Sequence, residues 1–523
     1  MAEHKVVVVG AGVGGLVSAL LLAARGLHVT LVEAGDAPGG KMRAVSVGGA
    51  SIDAGPTVFT MRWVFDEILA DVGTTLDELV VLSPLRVLAR HAWRGHDTRL
   101  DLHADARASA DAIARFATPA EGRRFLAFCN EAQRIYRRLE GPHIRSSRPS
   151  FAQMVGDLGP SGLKALAALG PFATLWQTLG RHFHDKRLRQ LFARYATYCG
   201  ASPWAAPATL MLVAHVEMDG VWSIAGGMNR LAQRLAGLAA ARGARLCYGT
   251  RVARIEVAGG RVRGVMLADG TRLPADAVVF NGDVNALALG LLGSDAAGAM
   301  PPPLAPRQRS LSAVTWALHA RTAGFPLVRH NVFFDDDYAS EFDDVFGKRR
   351  LPQRGTVYVC AQDRGDGDTA PAGAERLLAL VNAPADGDHA AAEFDAEIDP
   401  CEQRSWALLR QCGLQIDTTG ATMLRRTPTD FSRLYPGSGG ALYGPATHGW
   451  MALFKRPGAA TALPGLYLAG GSAHPGPGVP MAAMSGRLAA ATLMAHLDSI
   501  GRSRRVRIAG GTSMRSATTA ATP

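Results

Sequence analysis

Gly10, Gly12, Gly14, Gly15 and Glu33 have the types and spacing to hold a dinucleotide. In Gly10-Ala-Gly12-Val-Gly14-Gly15 the first glycine allows a tight turn and Gly12 lets a pyrophosphate approach the backbone. Gly15 lets a helix pack closely on a strand. Phosphates then lie at the helix N-terminus, where unpaired N–H groups and the helix dipole favour negative charge. Glu33 stands where a carboxylate accepts from ribose hydroxyls, and it would repel a 2′-phosphate, which argues against NADP. By itself the pattern is weak, the alternative being a glycine-rich turn without a ligand. Its surroundings supply the missing context. Lys5–Val9 is a β-branched run suited to a buried parallel strand, and an apolar-periodic helix reaches about Arg25 with Gly26 as its cap. A second strand, His28–Val32, delivers Glu33.

Downstream come Pro38-Gly39-Gly40-Lys41-Met42-Arg43 and Asp53-Ala54-Gly55-Pro56-Thr57. An acidic strand end followed by Gly-Gly-basic resembles the flavoprotein superfamily of amine oxidases and carotenoid desaturases. That resemblance implies FAD, with Gly40, Lys41, Arg43, Pro56 and Thr57 along it; solvated loop cations are the alternative for Lys41 and Arg43. A second signal starts at Gly226-Gly227-Met228, which opens a helix Asn229–Arg242 ending at Gly243. Strand Leu246–Thr250 follows. A meander is then expected, with a hairpin at Gly259-Gly260, a strand Val262–Leu267, a turn at Asp269-Gly270 and a return strand Ala277–Phe280. By resemblance, Val252 holds the adenine through backbone groups, the alternative being a plain β-meander. The third signal is a strand Leu466–Leu468, the loop Ala469 to Met481 and a helix from Ala482. Gly471, Gly478, Val479, Pro480 and Met481 are its expected cofactor contacts. A loop feeding a helix N-terminus suits the anionic edge of a reduced flavin, and Pro480 suits a first helical position.

Together these motifs resemble the bacterial-type phytoene desaturase family of carotenoid desaturases, from about Lys5 to Asp498. Asp185-Lys-Arg-Leu-Arg189, Gly200-Ala-Ser-Pro203, Arg426-Thr-Pro428-Thr-Asp430-Phe431 and Gly439-Gly440-Ala-Leu-Tyr443-Gly444 are similar to the family as well. Gly55 to Asp66 and Leu88-Ala-Arg90-His91-Ala-Trp93 are more similar to its 1-hydroxycarotenoid 3,4-desaturase branch. The resemblance implies an FAD-dependent enzyme that introduces a C3–C4 double bond into an acyclic 1-hydroxycarotenoid such as 1-hydroxyneurosporene. Hydride would go to flavin N5 and a proton would leave the neighbouring carbon, with oxygen or a quinone as final acceptor. A phytoene desaturase of the same family, an FAD amine oxidase and a non-enzymatic lipid escort on a flavin fold are the competing readings.

For a catalytic pair, Asp185 and Arg189 match a family string on a helix, although their spacing equally makes a surface ion pair. His474 either takes part in the chemistry or shapes its loop, and Asp283 caps or orients backbone. No metal cluster is expected. A water-insoluble substrate requires a tunnel mouth that meets lipid, so peripheral attachment to a membrane from the cytoplasm is expected. The apolar segments Leu163–Leu179 and Ala206–Val216, beside the basic run Arg181 to Arg194, would supply it. Buried core helices with a solvated basic face are the alternative.

Composition bounds these readings. Hydrophobic residues make up 48% and charged residues 19%, which excludes a disordered chain. The six cysteines are scattered without a C-x-x-C, pointing to a reducing compartment, and no signal peptide is expected. The net charge of +11 favours an anionic partner. No nucleic-acid-binding motif accompanies it, so a membrane surface is expected and nucleic acid is not. Five arginines and no acid lie in 499–523. The expected fold class is α/β, an FAD-binding Rossmann-like fold of the amine-oxidase and carotenoid-desaturase type with an inserted α+β substrate domain. The FAD-binding parts are 1–105, 226–300 (with the meander) and 446–498. A mostly helical substrate and membrane-contact region, 106–225, and a substrate-binding part, 301–445, lie between them, and 499–523 is a basic disordered tail.

Overall fold

A computed structural model describes residues 4–147, 173–365, 369–389 and 391–509, with backbone alone for 391–393 and 500–509. Five strands form a wholly parallel sheet in the order Leu466–Leu468, Ala277–Phe280, Lys5–Val9, His28–Val32, Arg245–Cys247. Lys5–Val9 is central. Its Val6, Val7 and Val8 are buried, as an uninterrupted apolar run in a sheet covered on both faces must be. Helix Val13–Ala24 buries Leu16, Leu20 and Leu22 against the sheet and against helices Met228–Ala241 and Val479–Ala509. Each such leucine contributes roughly 1.5–3 kcal/mol.

Three expectations for these elements change. Ala277–Phe280 is not the return strand of the meander: it pairs in parallel with Lys5–Val9, and Arg272–Pro274 closes the meander instead. Its four consecutive buried residues need cover on both faces, which only the central sheet provides. The strand expected at Leu246–Thr250 is Arg245–Cys247, because the chain then turns onto Glu33 and Gly35. The last helix begins at Val479, which makes Pro480 its second residue, and runs to Ala509. Residues 510–523 of the expected tail lie outside the described residues.

The second sheet has seven strands: Thr422–Arg426, Ser312–Ala320, Glu375–Ala383, Val357–Ala361, His330–Phe334, Val87–Trp93 and Arg99–His103. Neighbours are antiparallel except His330–Phe334 with Val87–Trp93. Two of its strands thus come from within 1–105, the stretch expected to serve the cofactor fold. A short strand shows which face is apolar but not which sheet it joins.

Helices Ala106–Phe116, Pro119–Leu139, Leu175–His182, Lys186–Ala193 and Leu212–Met218 pack beside this sheet around Phe125, Phe128 and Phe192. Within the expected apolar segments, Leu175, Leu179, Leu210, Met211 and Val213 are buried, the core alternative; 163–172 lie outside the described residues. Among the described residues no helix is long and apolar enough to cross a membrane.

Candidate active site

Three turns meet at the carboxyl ends of the central parallel strands: Gly10 to Gly15, Asn281 to Asp283 and Gly470 onward. Ends of adjacent parallel strands are where such sheets bind ligands. Asn281 joins the turns, its Nδ2 donating to the Gly10 carbonyl at 3.2 Å. A Cβ on Gly14 would lie 2.7 Å from Asn281 Oδ1 and 2.8 Å from the Ala482 carbonyl oxygen. Ser18 holds the crossing from below, donating to the carbonyls of both Gly14 and Gly486. Reading the sequence did not single out Asn281 as a site residue; its place at the end of a strand beside Lys5–Val9 is the signal that was available.

Glu33 ends the neighbouring strand. Its Oε2 accepts the Ala11 N–H at 2.6 Å and its Oε1 the Gly35 N–H at 2.7 Å. The chain from Cys247 runs alongside, with Glu33 N–H donating to the Cys247 carbonyl and Thr250 N–H to the Glu33 carbonyl. Val252 thereby reaches the same cavity as Glu33. The Gly39-Gly40 turn closes over Gly12, Gly39 N–H donating to the Ala11 carbonyl at 2.9 Å.

A cavity of about 930 Å³ extends from this crossing, with walls from both sheets and the helical region. It is lined by Gly10, Gly12, Gly14, Glu33, Gly40, Lys41, Arg43, Pro56, Thr57, Val252, Gly471, Gly478, Val479, Pro480 and Met481. Of the expected cofactor residues only Gly15 stays out; its α-carbon packs against the Gly10 carbonyl, joining helix to strand.

Two cations inside the cavity are held by carbonyls. Lys41 Nζ donates to Leu442 O at 2.6 Å and sits over the Tyr435 ring, whose other cation is Arg43. Arg456 donates to Gly471 O at 3.0 Å and to Tyr443 O and Pro445 O at 2.9 Å. Burial lowers the Lys41 pKa, Asp283 partly offsetting this and Arg456 adding to it. Burial also pushes Arg456 down to about 10. Lys41 is therefore not a solvated loop cation, and Arg456 is a buried cation that no motif announced. Glycines without room for a Cβ, a carboxylate at the strand end and two carbonyl-held cations fit a dinucleotide whose far end gains negative charge.

The remaining wall is apolar along Leu210, Leu212, Val213 and Val216, then polar. Tyr195 and Tyr198 donate to Oε2 and Oε1 of Glu217, both at 2.7 Å. Arg194 lies 5.7 Å from the Tyr198 ring centroid and 5.3 Å from that of Tyr358. The Tyr358 hydroxyl is 2.6 Å from Thr57 Oγ1 and 2.7 Å from His330 Nδ1. Burial raises the Glu217 pKa, while the two tyrosine hydrogen bonds and Arg194 lower it. Arg194, expected within a membrane-facing basic run, instead lines the cavity, because its helix turns it toward the tyrosines.

Asp185 and Arg189 are not brought together and neither lines the cavity. Asp185 caps helix Lys186–Ala193, accepting the Arg187 N–H at 2.8 Å and pairing with the Arg187 guanidinium. Arg189 stacks 3.8 Å over the Trp176 ring and donates to the Trp176 carbonyl. The i, i+4 pair is lost because a cap residue sits outside the helix, where its carboxylate bonds the first turn. His474 Nε2 lies 2.9 Å from the His143 carbonyl oxygen, a loop-shaping contact, and Asp283 caps helix Val284–Ala288. Among the described residues no group of three His, Cys, Asp or Glu side chains could hold a metal.

The profile of the flavin-containing amine oxidoreductase family matches residues 13–494. A hydroxyneurosporene desaturase of Rubrivivax gelatinosus is 65% identical over 517 residues, covering 99% of this chain and 98% of the relative. One from Cereibacter sphaeroides is 47% identical, covering 95% of this chain and 99% of its own. The cyclohexylamine oxidase of Brevibacterium oxydans is similar in fold at a TM-score of 0.56 with 17% identity, over 95% of this chain and 100% of that one.

Proposed function

Since the chain belongs to the flavin-containing amine oxidoreductase family, we propose that it is an FAD-dependent carotenoid desaturase that forms the C3–C4 double bond of an acyclic 1-hydroxycarotenoid such as 1-hydroxyneurosporene. The observation that carries this reading is a largely apolar cavity continuous with the dinucleotide cradle, in a chain similar over nearly its whole length to hydroxyneurosporene desaturases.

FAD, when bound, supplies the two-electron acceptor that protein side chains lack. The chain itself binds and positions. Glu33 offers its carboxylate beside the glycine turn. Arg456, held at the Gly471 carbonyl, and Lys41, held at the Leu442 carbonyl, would supply positive charge to a flavin that gains electrons. Leu210, Leu212, Val213 and Val216 keep water from a polyene segment.

Peripheral contact with a membrane belongs to the same proposal, because the substrate is insoluble in water. Oxygen or a quinone is the proposed final acceptor. Flotation of the holoenzyme with anionic vesicles tests the membrane contact, and anaerobic reoxidation by a soluble quinone tests the acceptor.

The decisive experiment is anaerobic incubation of the FAD-loaded protein with 1-hydroxyneurosporene and, separately, with phytoene and with a primary amine, followed by product analysis. A 3,4-desaturated product from the first alone is expected. Conversion of phytoene alone would replace this reading with a phytoene desaturase, and oxidation of an amine alone would return the amine oxidase.

A further inference from the structure

A 1-hydroxycarotenoid has one polar group, and it lies two carbons from the carbon that loses hydrogen at C3. An apolar tunnel that seats C3 and C4 for reaction must therefore accommodate the hydroxyl within the same chamber. Leaving that hydroxyl without a partner, away from water, is unfavourable. The polar wall of the cavity has the composition for this task, and the cofactor cradle does not use it.

Two members of the wall face the cavity with complementary hydrogen-bonding capacity. Tyr198 gives its proton to Glu217 at 2.7 Å, which leaves lone pairs on its hydroxyl oxygen as acceptors. Arg194 carries five N–H donors and forms no ion pair among the described residues; it faces the rings of Tyr198 and Tyr358 and shares a side-chain hydrogen bond with Tyr198, which leaves further N–H donors and one Tyr198 lone pair for a ligand. The wall also reaches the cofactor side, since the Tyr358 hydroxyl bonds Thr57, the residue that follows Gly55-Pro56.

We propose that Arg194 and Tyr198 form the recognition site for the tertiary hydroxyl of the substrate, Arg194 donating to its oxygen and Tyr198 accepting its proton, with Glu217 as the positioning residue that keeps Tyr198 an acceptor. The proposal rests on the reading of the substrate as a 1-hydroxycarotenoid. It makes the end group, not the polyene, the feature that selects substrate. A carotene of equal length without the hydroxyl leaves the remaining Arg194 donors and the remaining Tyr198 lone pair without a partner, which is how a polar site rejects an apolar analogue.

The test compares Arg194→Met and Tyr198→Phe with the parent holoenzyme on 1-hydroxyneurosporene and on neurosporene, taking the ratio of kcat/KM for the two. Each variant is expected to lower that ratio by about 10-fold or more, chiefly through KM for the hydroxylated substrate. Glu217→Gln is expected to lower the ratio in the same direction, whereas a proton-accepting Glu217 would lose kcat on both substrates alike. Flavin content and thermal melting select the variants that are folded and loaded. An unchanged ratio in folded, loaded Arg194→Met and Tyr198→Phe overturns the recognition site while leaving the desaturase reading intact. Failure of the parent enzyme to convert 1-hydroxyneurosporene overturns the desaturase reading itself.

Discussion

Glu33 accepts the N–H of Ala11 at 2.6 Å, so the carboxylate ending one strand fixes the glycine turn that follows its neighbour. It holds Gly35 in the same way. Glu33→Ala removes both bonds together with the proposed ribose acceptor. FAD affinity is expected to fall about 10- to 100-fold, the equivalent of one charged hydrogen bond of about 1.5–3 kcal/mol. Fluorescence titration of the apoprotein with FAD measures it, and unchanged affinity would remove Glu33 from the cofactor site.

Gly15 has no room for a side chain, since a Cβ would collide with the carbonyl of Gly10 and lie 3.0 Å from Asn281 Nδ2. Neither neighbour is free to retreat, because both belong to the turn crossing. Gly15→Ala is expected to destabilise the fold by about 1–3 kcal/mol and to weaken flavin retention. Thermal unfolding and the flavin-to-protein absorbance ratio report the two effects separately.

Asp185 is a helix cap, and Asn caps nearly as well as Asp. Asp185→Asn should therefore keep activity, while Asp185→Ala should lose about 1 kcal/mol of stability. A drop in turnover of about 100-fold or more for a normally melting Asp185→Asn would restore the catalytic role expected of it, as a proton acceptor, that being the lower end of such effects.

Burial holds His91 and His474 at about 4, and His143 and His330 at about 3. Between their ordinary value of 6.5 and these lowered ones, the unfolded chain takes up protons that the folded chain refuses. Stability is thus fully present above that ordinary value and is lost as pH falls, by up to about 1.4 kcal/mol per pH unit for each group. Urea unfolding at about pH 7 and about pH 5.5 should show a marked fall at the lower pH. His91→Phe, whose ring would remain stacked on Phe334, should make that dependence shallower; a flat profile in the parent would show that these rings protonate freely.

Reading along the chain works where structure is local. The strands Lys5–Val9, His28–Val32 and Leu466–Leu468 and the helix after Gly12 carry their own periodicity, turn residues and caps, so their bounds are legible to within a residue. Ala277–Phe280 is legible as a strand but not as a neighbour of Lys5–Val9, because pairing between residues some 270 positions apart leaves no local mark. Asp185 and Arg189 show the converse failure. Their spacing is meaningful inside a helix, and the helix begins one residue after Asp185.

By itself the sequence determined the dinucleotide cradle: Gly10 to Gly15 and Glu33 lie within one strand–helix–strand unit whose geometry follows from short-range sterics and hydrogen bonding. The tertiary structure alone decided what faces the substrate space. In the sequence Arg194 ends a basic run and Thr57 belongs to the expected cofactor contacts, while Tyr198, Glu217, Tyr358 and Arg456 carry no motif. They share a cavity because two sheets and a helical layer from separate parts of the chain close around it. Burial then ties their polar atoms to one another, since water no longer reaches all of them.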